Sequence, residues 1–404
     1  MNSNTTHQNL QHPKSPSGDL GVKSSRLLSL DIMRGITIAG MILVNDPGSW
    51  TYVYPPLRHE VWHGLTPTDL VFPFFMVIMG ISTFISLRKF NFQPTGSAIW
   101  KIIKRMVLIF VIGMALGWFG QFTRGLANGE TIGTAATHFD TLRILGVLQR
   151  LALAYGFAAL IAVLVKHKYI VWIIVSLLVG YFLILVFGNG FEISEQNILS
   201  VVDRAILGRN HIYQDTTPEG QKIAFEILGL LSTLPAIAQV LIGFLFGKLI
   251  VETKDNHSKV EKLLIWGTIL AFAGLLLQYG CPINKKLWSS TYVLVSTGFA
   301  IQFLALLIWI IDINKKQKWS RFFHAFGVNP LIVYVFAGVL ANLFGNIRIP
   351  YSDGSISIKG YIYSVLIQPW AGNYFGSLLY VLVFVTICWA FGYILYKKNI
   401  YIKL

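Results

Sequence analysis

Apolar residues fall in long blocks along this chain, not at the spacing of a single helix face or strand face. Ten blocks stand out, near 27–45, 68–88, 102–121, 143–165, 169–188, 229–250, 262–280, 288–312, 322–344 and 375–396, with polar loops between them. A hydrocarbon core about 30 Å thick is crossed by roughly 20 apolar residues in an α-helix. The pattern therefore predicts an all-α, polytopic membrane helical bundle of about ten transmembrane helices. Residues 1–26 are polar and rich in Asn, Ser and Pro, with no apolar core of signal-peptide type. They are expected to form a disordered cytoplasmic tail, leaving 27–404 as one transmembrane domain.

Composition supports the lipid reading. Of 404 residues, 54% are apolar and 13% charged, against roughly 25% charged in a soluble domain. So little charge cannot cover a water-facing surface, which excludes disordered, collagenous and soluble globular classes. A net charge of +15 could point to nucleic acid. In a membrane protein, however, Lys and Arg first report orientation, because they gather on the cytoplasmic side. With the N-terminus in the cytoplasm, ten spans return the C-terminus there. Then 22 of the 33 basic residues lie inside, against 6 of the 18 acids. Both termini are expected inside, and no nucleic-acid partner is expected. Cys281 and Cys388 are too few for a disulfide framework or a cysteine zinc site.

Polar chemistry concentrates in the first outer loop, Asn45 to Pro73, which holds Asn45, Asp46, Arg58, His59, Glu60, Trp62, His63, Thr66 and Asp69. Asp69 opens the second span, where it either serves a site or caps the helix N-terminus. His59 to His63 spells HEVWH, the HExxH pattern of zinc proteases. Flanking Pro55, Pro56, Gly64 and Pro67 leave barely one helical turn, and no third ligand follows, so no metal is expected. In the fourth span Arg150 lies about 10 Å deeper than Arg143 and needs a partner; Asp69 is a candidate counter-ion. Gln149 stands beside it.

The outer loop 189–228 is long enough to cover a pocket, with charges expected on a solvated surface, Glu219 among them. Ser232, Thr233, Pro235 and Gln239 interrupt the sixth span, and Asn329 and Pro330 the ninth; such interruptions need protein or a cavity around them. The Gly113–Gly117 and Gly243–Gly247 spacings are weak packing signals. On the inner side Arg34, Lys104, Arg105, Lys398 and Lys403 could seat an anion.

SLDIMRG, RHEVWHGLTPTDLVFPFFMVIMG, GVLQRLALAY, GLLSTLPAIAQVLIG, KKLWSSTYVLVSTGFA, GVNPLIVYV and YKKNIYIKL, taken in order, resemble the heparan-α-glucosaminide N-acetyltransferase family over 27–404. The resemblance implies a polytopic enzyme. It would take acetyl from cytosolic acetyl-CoA and give it to the amine of a terminal glucosamine on the far side. By motif position His59 resembles the family's catalytic histidine and Asn45 its partner asparagine; His63 carries no role. The lysosomal relatives have a further luminal region and one more preceding helix. This chain is expected to be the short bacterial form, in the cytoplasmic membrane, and the relatives imply a homodimer. His59 as general base or acetyl-accepting nucleophile, Asn45 as oxyanion donor and Asp69 as orienting carboxylate make the expected catalytic set. Arg150, Gln149 and Trp62 are expected at the acceptor sugar, and Arg34, Lys104, Arg105, Lys398 and Lys403 at the donor's phosphates. A secondary transporter of a polar solute is the competing class, since broken helices and buried charge suit one equally.

Overall fold

Blocks of apolar sequence become helices because lipid offers the backbone no partner. The computed structural model describes residues 27–217, 220–352 and 354–402. The expected tail over 1–26, Glu219 and Lys403 lie outside the described residues. The principal helices are α1 Leu28–Asn45, α2 Val71–Leu87, α3 Gly96–Ala127, α4 Val147–Leu164, α5 Ile170–Phe187 and α6 Ile198–Leu207, then α7 Thr233–Glu252, α8 Asn256–Leu277, α9 Ser290–Leu307, α10 Arg321–Val328, α11 Pro330–Asn346 and α12 Asn373–Lys397. Two short antiparallel hairpins, β1–β2 (Gln214–Thr216 and Lys222–Ala224) and β3–β4 (Arg348–Tyr351 and Gly354–Ser357), stand in loops. Among the described residues nine helices are long and apolar enough to cross a membrane, or ten if the bent α10–α11 pair counts as one. The chain is an all-α polytopic bundle.

Helices α1, α2, α4, α7 and α9 have 56–72% of their spanning residues buried, whereas α3, α5, α8 and α12 have 17–33%. The first set is the core of the bundle and the second presents its apolar side chains to lipid. Helices α2 and α7 pack closely. A Cβ at Gly80 would overlap the Val240 carbonyl, and one at Gly243 would press on that of Val77, so the Gly243–Gly247 spacing does mark a helix contact.

The ninth predicted span is broken. Pro330 has no N–H and disfavours helix at the preceding residue. Asn329 leaves the helical region, and α10 and α11 meet at 88°. Its side chain bridges the C-terminal segment, donating to the Ile400 carbonyl (2.8 Å) and accepting from the Ile402 N–H (3.0 Å). The polar positions of the sixth span are sealed in protein. Gln239 donates to Ser296 (3.0 Å) and accepts from the Trp288 indole (3.1 Å).

Candidate active site

The segment between α1 and α2 is irregular because four prolines and two glycines interrupt it, and its shape is fixed by side chains. Thr66 and Asp69 form a reciprocal capping box at the turn that leads into α2. One carboxylate oxygen of Asp69, Oδ2, accepts from the Thr66 N–H (3.0 Å), the Thr66 hydroxyl (2.9 Å) and the Glu60 N–H (3.1 Å). The other, Oδ1, lies 2.8 Å from His59 Nδ1. Asp69 is fully buried and His59 is 38% exposed. Capping and site duty, alternatives in the sequence, are thus carried by different oxygens of one carboxylate. With its proton on Nδ1 facing Asp69, the imidazole keeps a lone pair on Nε2, the tautomer a general base needs.

A third charged group completes the cluster. Lys285, in the loop between α8 and α9, places Nζ 2.8 Å from His59 Nδ1, 3.3 Å from Nε2 and 3.3 Å from Asp69 Oδ1. Its neighbour Lys286 pairs with Asp215 of β1 at 2.6 Å. Burial pushes the His59 imidazole below its ordinary range; the hydrogen bond to Asp69 pulls it back up and the Lys285 ammonium pushes it down again. Burial likewise pushes Lys285 down to about 8, against the pull of Asp69. The result is a neutral imidazole at neutral pH beside a carboxylate and an ammonium.

Loop 189–228 roofs this cluster. The Trp62 indole donates to the Phe191 carbonyl (2.8 Å) and its ring meets Phe225 edge-on. The charges of this loop are not all solvated, as the sequence led us to expect: Asp203 and Glu226 are buried. Arg143 donates from two nitrogens to Glu226, at 2.9 and 2.5 Å. Arg150 does not pair with Asp69. It is fully buried, donating to the Ser232 carbonyl (3.0 Å), the Ser232 hydroxyl (2.5 Å) and the Gly229 carbonyl (3.2 Å), with Trp288 packed 5.3 Å away. Carbonyls freed where α7 begins supply what a carboxylate was expected to supply. Gln149 is buried against Gly113 and Gly146, so Gly113 makes room for an amide instead of a helix backbone.

Asn45 stands exposed at the end of α1, and among the described residues no hydrogen bond joins it to His59. Residues 59–64 contain no helical turn, so the two imidazoles of HEVWH do not share a helix face. His63 instead meets the Asn284 amide (3.3 Å). Among the described residues no group of three or more His, Cys, Asp or Glu is placed to hold a metal ion.

A cavity of about 400 Å³ opens at the other end of the bundle, lined by Arg34, Met41, Met79, Arg105, Asn329 and Tyr334 among others. Ser82, near the end of α2, also lines it. Thirteen residues of helix, about 20 Å, separate Ser82 from Asp69. Arg34 donates to Asp31 (3.0 Å) and Ser82 (2.9 Å), and Arg105 lies 4.6 Å from the Tyr155 ring centre. Of the five cations expected to seat an anion, Arg34 and Arg105 line the cavity, whereas Lys104 and Lys398 are exposed and do not.

Lys285 opens the KKLWSSTYVLVSTGFA stretch, but nothing in the sequence assigns it to the His59 site. It belongs to a Lys-Lys pair in a loop more than two hundred residues from His59, and only the fold brings the two together.

The family model for the catalytic region of heparan-α-glucosaminide N-acetyltransferase matches residues 26–280. The mouse heparan-α-glucosaminide N-acetyltransferase is 26% identical over 432 residues, covering 94% of this chain and 61% of that protein. The human protein of the same name is 26% identical over 374 residues, covering 79% and 54% respectively. The chain thus spans less than two thirds of either relative.

Proposed function

From the chain's membership of the heparan-α-glucosaminide N-acetyltransferase family, which the match over residues 26–280 establishes, we propose that it is a transmembrane N-acetyltransferase. It moves acetyl from acetyl-CoA on the cytoplasmic side to the amine of a glucosamine-type sugar on the outer side. The observation that carries this reading is the separation of two complementary sites along α2. His59 and Asp69 stand at one end, and the cavity bearing Arg34 and Arg105 lies toward the other. Acetyl-CoA carries too much phosphate charge to cross hydrocarbon, so its phosphates belong at the cationic mouth and its thin acyl arm in the apolar cavity. The excess of Lys and Arg on the same side as Arg34 and Arg105 supports a cytoplasmic position for that mouth.

His59 takes a proton from the sugar ammonium at Nε2, and the free amine attacks the thioester carbon. The C–N bond forms, the C–S bond breaks, and the second amine proton passes to the departing thiolate. Asp69 holds the tautomer that makes Nε2 the acceptor, a contribution of the general-base type worth about 10²–10⁴ in rate. Asn45 donates to the developing oxyanion, worth about 3–4 kcal/mol in comparable sites. Trp62 belongs to the wall on which the sugar rests. Arg150, sealed from solvent, supports the site from behind by fixing the Gly229–Ser232 segment. An alternative order has Nε2 attack the thioester first and pass the acetyl on; labelled acetyl-CoA without acceptor distinguishes the two by stable label on His59.

Membranes containing the protein are to be given acetyl-CoA and a panel of amino sugars, scored for free thiol. Acceptor-dependent thiol release that His59→Ala abolishes is the expected result. Solute uptake without thiol release, or full activity in a folded His59→Ala protein, overturns the proposal.

A further inference from the structure

We propose that Lys285 is a positioning residue of this site: anchored on Asp69, its ammonium lies against the His59 ring, keeps the imidazole neutral and leaves Nε2 as the reacting nitrogen. The inference deepens the acetyl-transfer reading and rests on it for its effect on rate, though not for its effect on His59 itself.

The hydrogen bonds follow from the tautomer that places the Nδ1 proton toward Asp69. His59 Nδ1 has a single in-plane direction, and Asp69 Oδ1 occupies it at 2.8 Å. A lysine 2.8 Å from Nδ1 and 3.3 Å from Nε2 cannot align with the in-plane direction of both nitrogens at once. With the Nδ1 proton given to Asp69, the acceptor left to the ammonium is Asp69 Oδ1 at 3.3 Å, and toward the ring it acts as a charge. A cation at that distance penalises a second positive charge on the imidazole.

The placement of Lys285 is built into the fold. The Leu287 N–H donates to Asn284 Oδ1 (2.9 Å) and the Asn284 N–H to Ser289 Oγ (3.0 Å), which fixes the turn. The Gly64 N–H donates to the Ile283 carbonyl (2.8 Å), tying that turn to the His59 loop; Gly64 adopts φ +130°, open to glycine but not to other residues without strain. From the α9 side the Tyr292 hydroxyl donates to the Asp69 carbonyl (2.6 Å). The charged groups facing His59 are Asp69 at the start of α2 and Lys285 and Lys286 from the α8–α9 loop, with Lys286 paired to Asp215 of β1. Asp69 alone favours the imidazolium. Burial and the two lysines oppose it, and of the lysines Lys285 is the one in contact.

The test reads the titration of His59 without substrate. Membranes or purified protein are treated with a histidine-directed carbethoxylating reagent across pH 5–9 (a reagent that attacks neutral imidazole), and the rate at His59 is followed by peptide mass spectrometry. In the wild type the midpoint is expected below the ordinary value of about 6.5. In Lys285→Met it is expected to rise by about 1–2 pH units, while Lys286→Met moves it less. Lys285→Cys provides a second route: its midpoint is expected to be high before, and low after, alkylation with 2-bromoethylamine rebuilds a lysine-length cation. A wild-type midpoint at or above 6.5 overturns the proposal whether or not any variant folds. So does a folded Lys285→Met protein with the wild-type midpoint. Because neither donor nor acceptor is present, failure here leaves the transferase assay to stand or fall separately.

Discussion

Replacing Asp69 by Asn probes the site with the smallest change of shape. The carboxylate divides its oxygens between two tasks. Oδ2 receives three donors within 3.1 Å, and Oδ1 receives the His59 ring at 2.8 Å. An amide keeps one oxygen. Oδ1 also faces the Lys285 ammonium at 3.3 Å, but three donors, two of them backbone N–H groups, outweigh those two, so the oxygen stays with Thr66 and Glu60 and the NH₂ turns to His59. Imidazole then accepts at Nδ1 and carries its proton on Nε2, where it can no longer take one from an amine. The same conversion in the Asp-His pair of serine proteases costs about 10⁴ in kcat. A loss of about 10³–10⁴ in kcat, or about 4–5.5 kcal/mol at 1.36 kcal/mol per decade, is expected here with little change in KM. Loss of charge-assisted bonds to a fully buried carboxylate also costs about 1.5–3 kcal/mol of stability, which a thermal melt in detergent reads separately. Initial rates of thiol release against both substrates measure the kinetic effect. A folded Asp69→Asn protein within about threefold of wild-type kcat/KM would refute the tautomer argument.

Other consequences can be checked in parallel. Arg34→Ala and Arg105→Ala should raise the KM for acetyl-CoA, whereas Lys104→Ala and Lys398→Ala should leave it near wild type, because only the first pair lines the cavity; equal effects from all four would break the link between cavity and donor. Arg150→Met removes three hydrogen bonds to the Gly229–Ser232 segment, each worth about 1.5–3 kcal/mol when the donor is charged, and should lower the melting temperature clearly. The acid limb of kcat should lie below pH 6.5, since burial holds His59 below its ordinary range and a base acts only above its own pKa. Asn45→Ala should lower kcat by about 10²–10³ with wild-type donor affinity if it serves the oxyanion; an unchanged kcat would remove it from the scheme.

Long apolar blocks were enough to place nine spans and the bent α10–α11 pair, because lipid forces the backbone to satisfy itself within each block. The break at Asn329 was visible too, since Pro330 can neither donate nor let its predecessor stay helical. What sequence spacing could not supply was pairing between distant loops. Asp69 was legible as a candidate through its position, yet its partner was open between His59 and Arg150. The choice depends on carbonyls at the start of α7 that only folding brings to Arg150. Lys285 opens a stretch that carries the family resemblance, yet nothing local assigns it to the site, because a lysine in a polar loop reads the same whether it faces water or an imidazole.

Sidedness is the claim on which the mechanism depends. Sealed, uniformly oriented vesicles with acetyl-CoA confined to the face bearing Arg34 and Arg105, and an amino sugar confined to the face bearing His59, test it directly. Acetylated sugar should accumulate with His59, and free thiol should accumulate on the donor side. Transfer only when both substrates share one compartment would contradict the account.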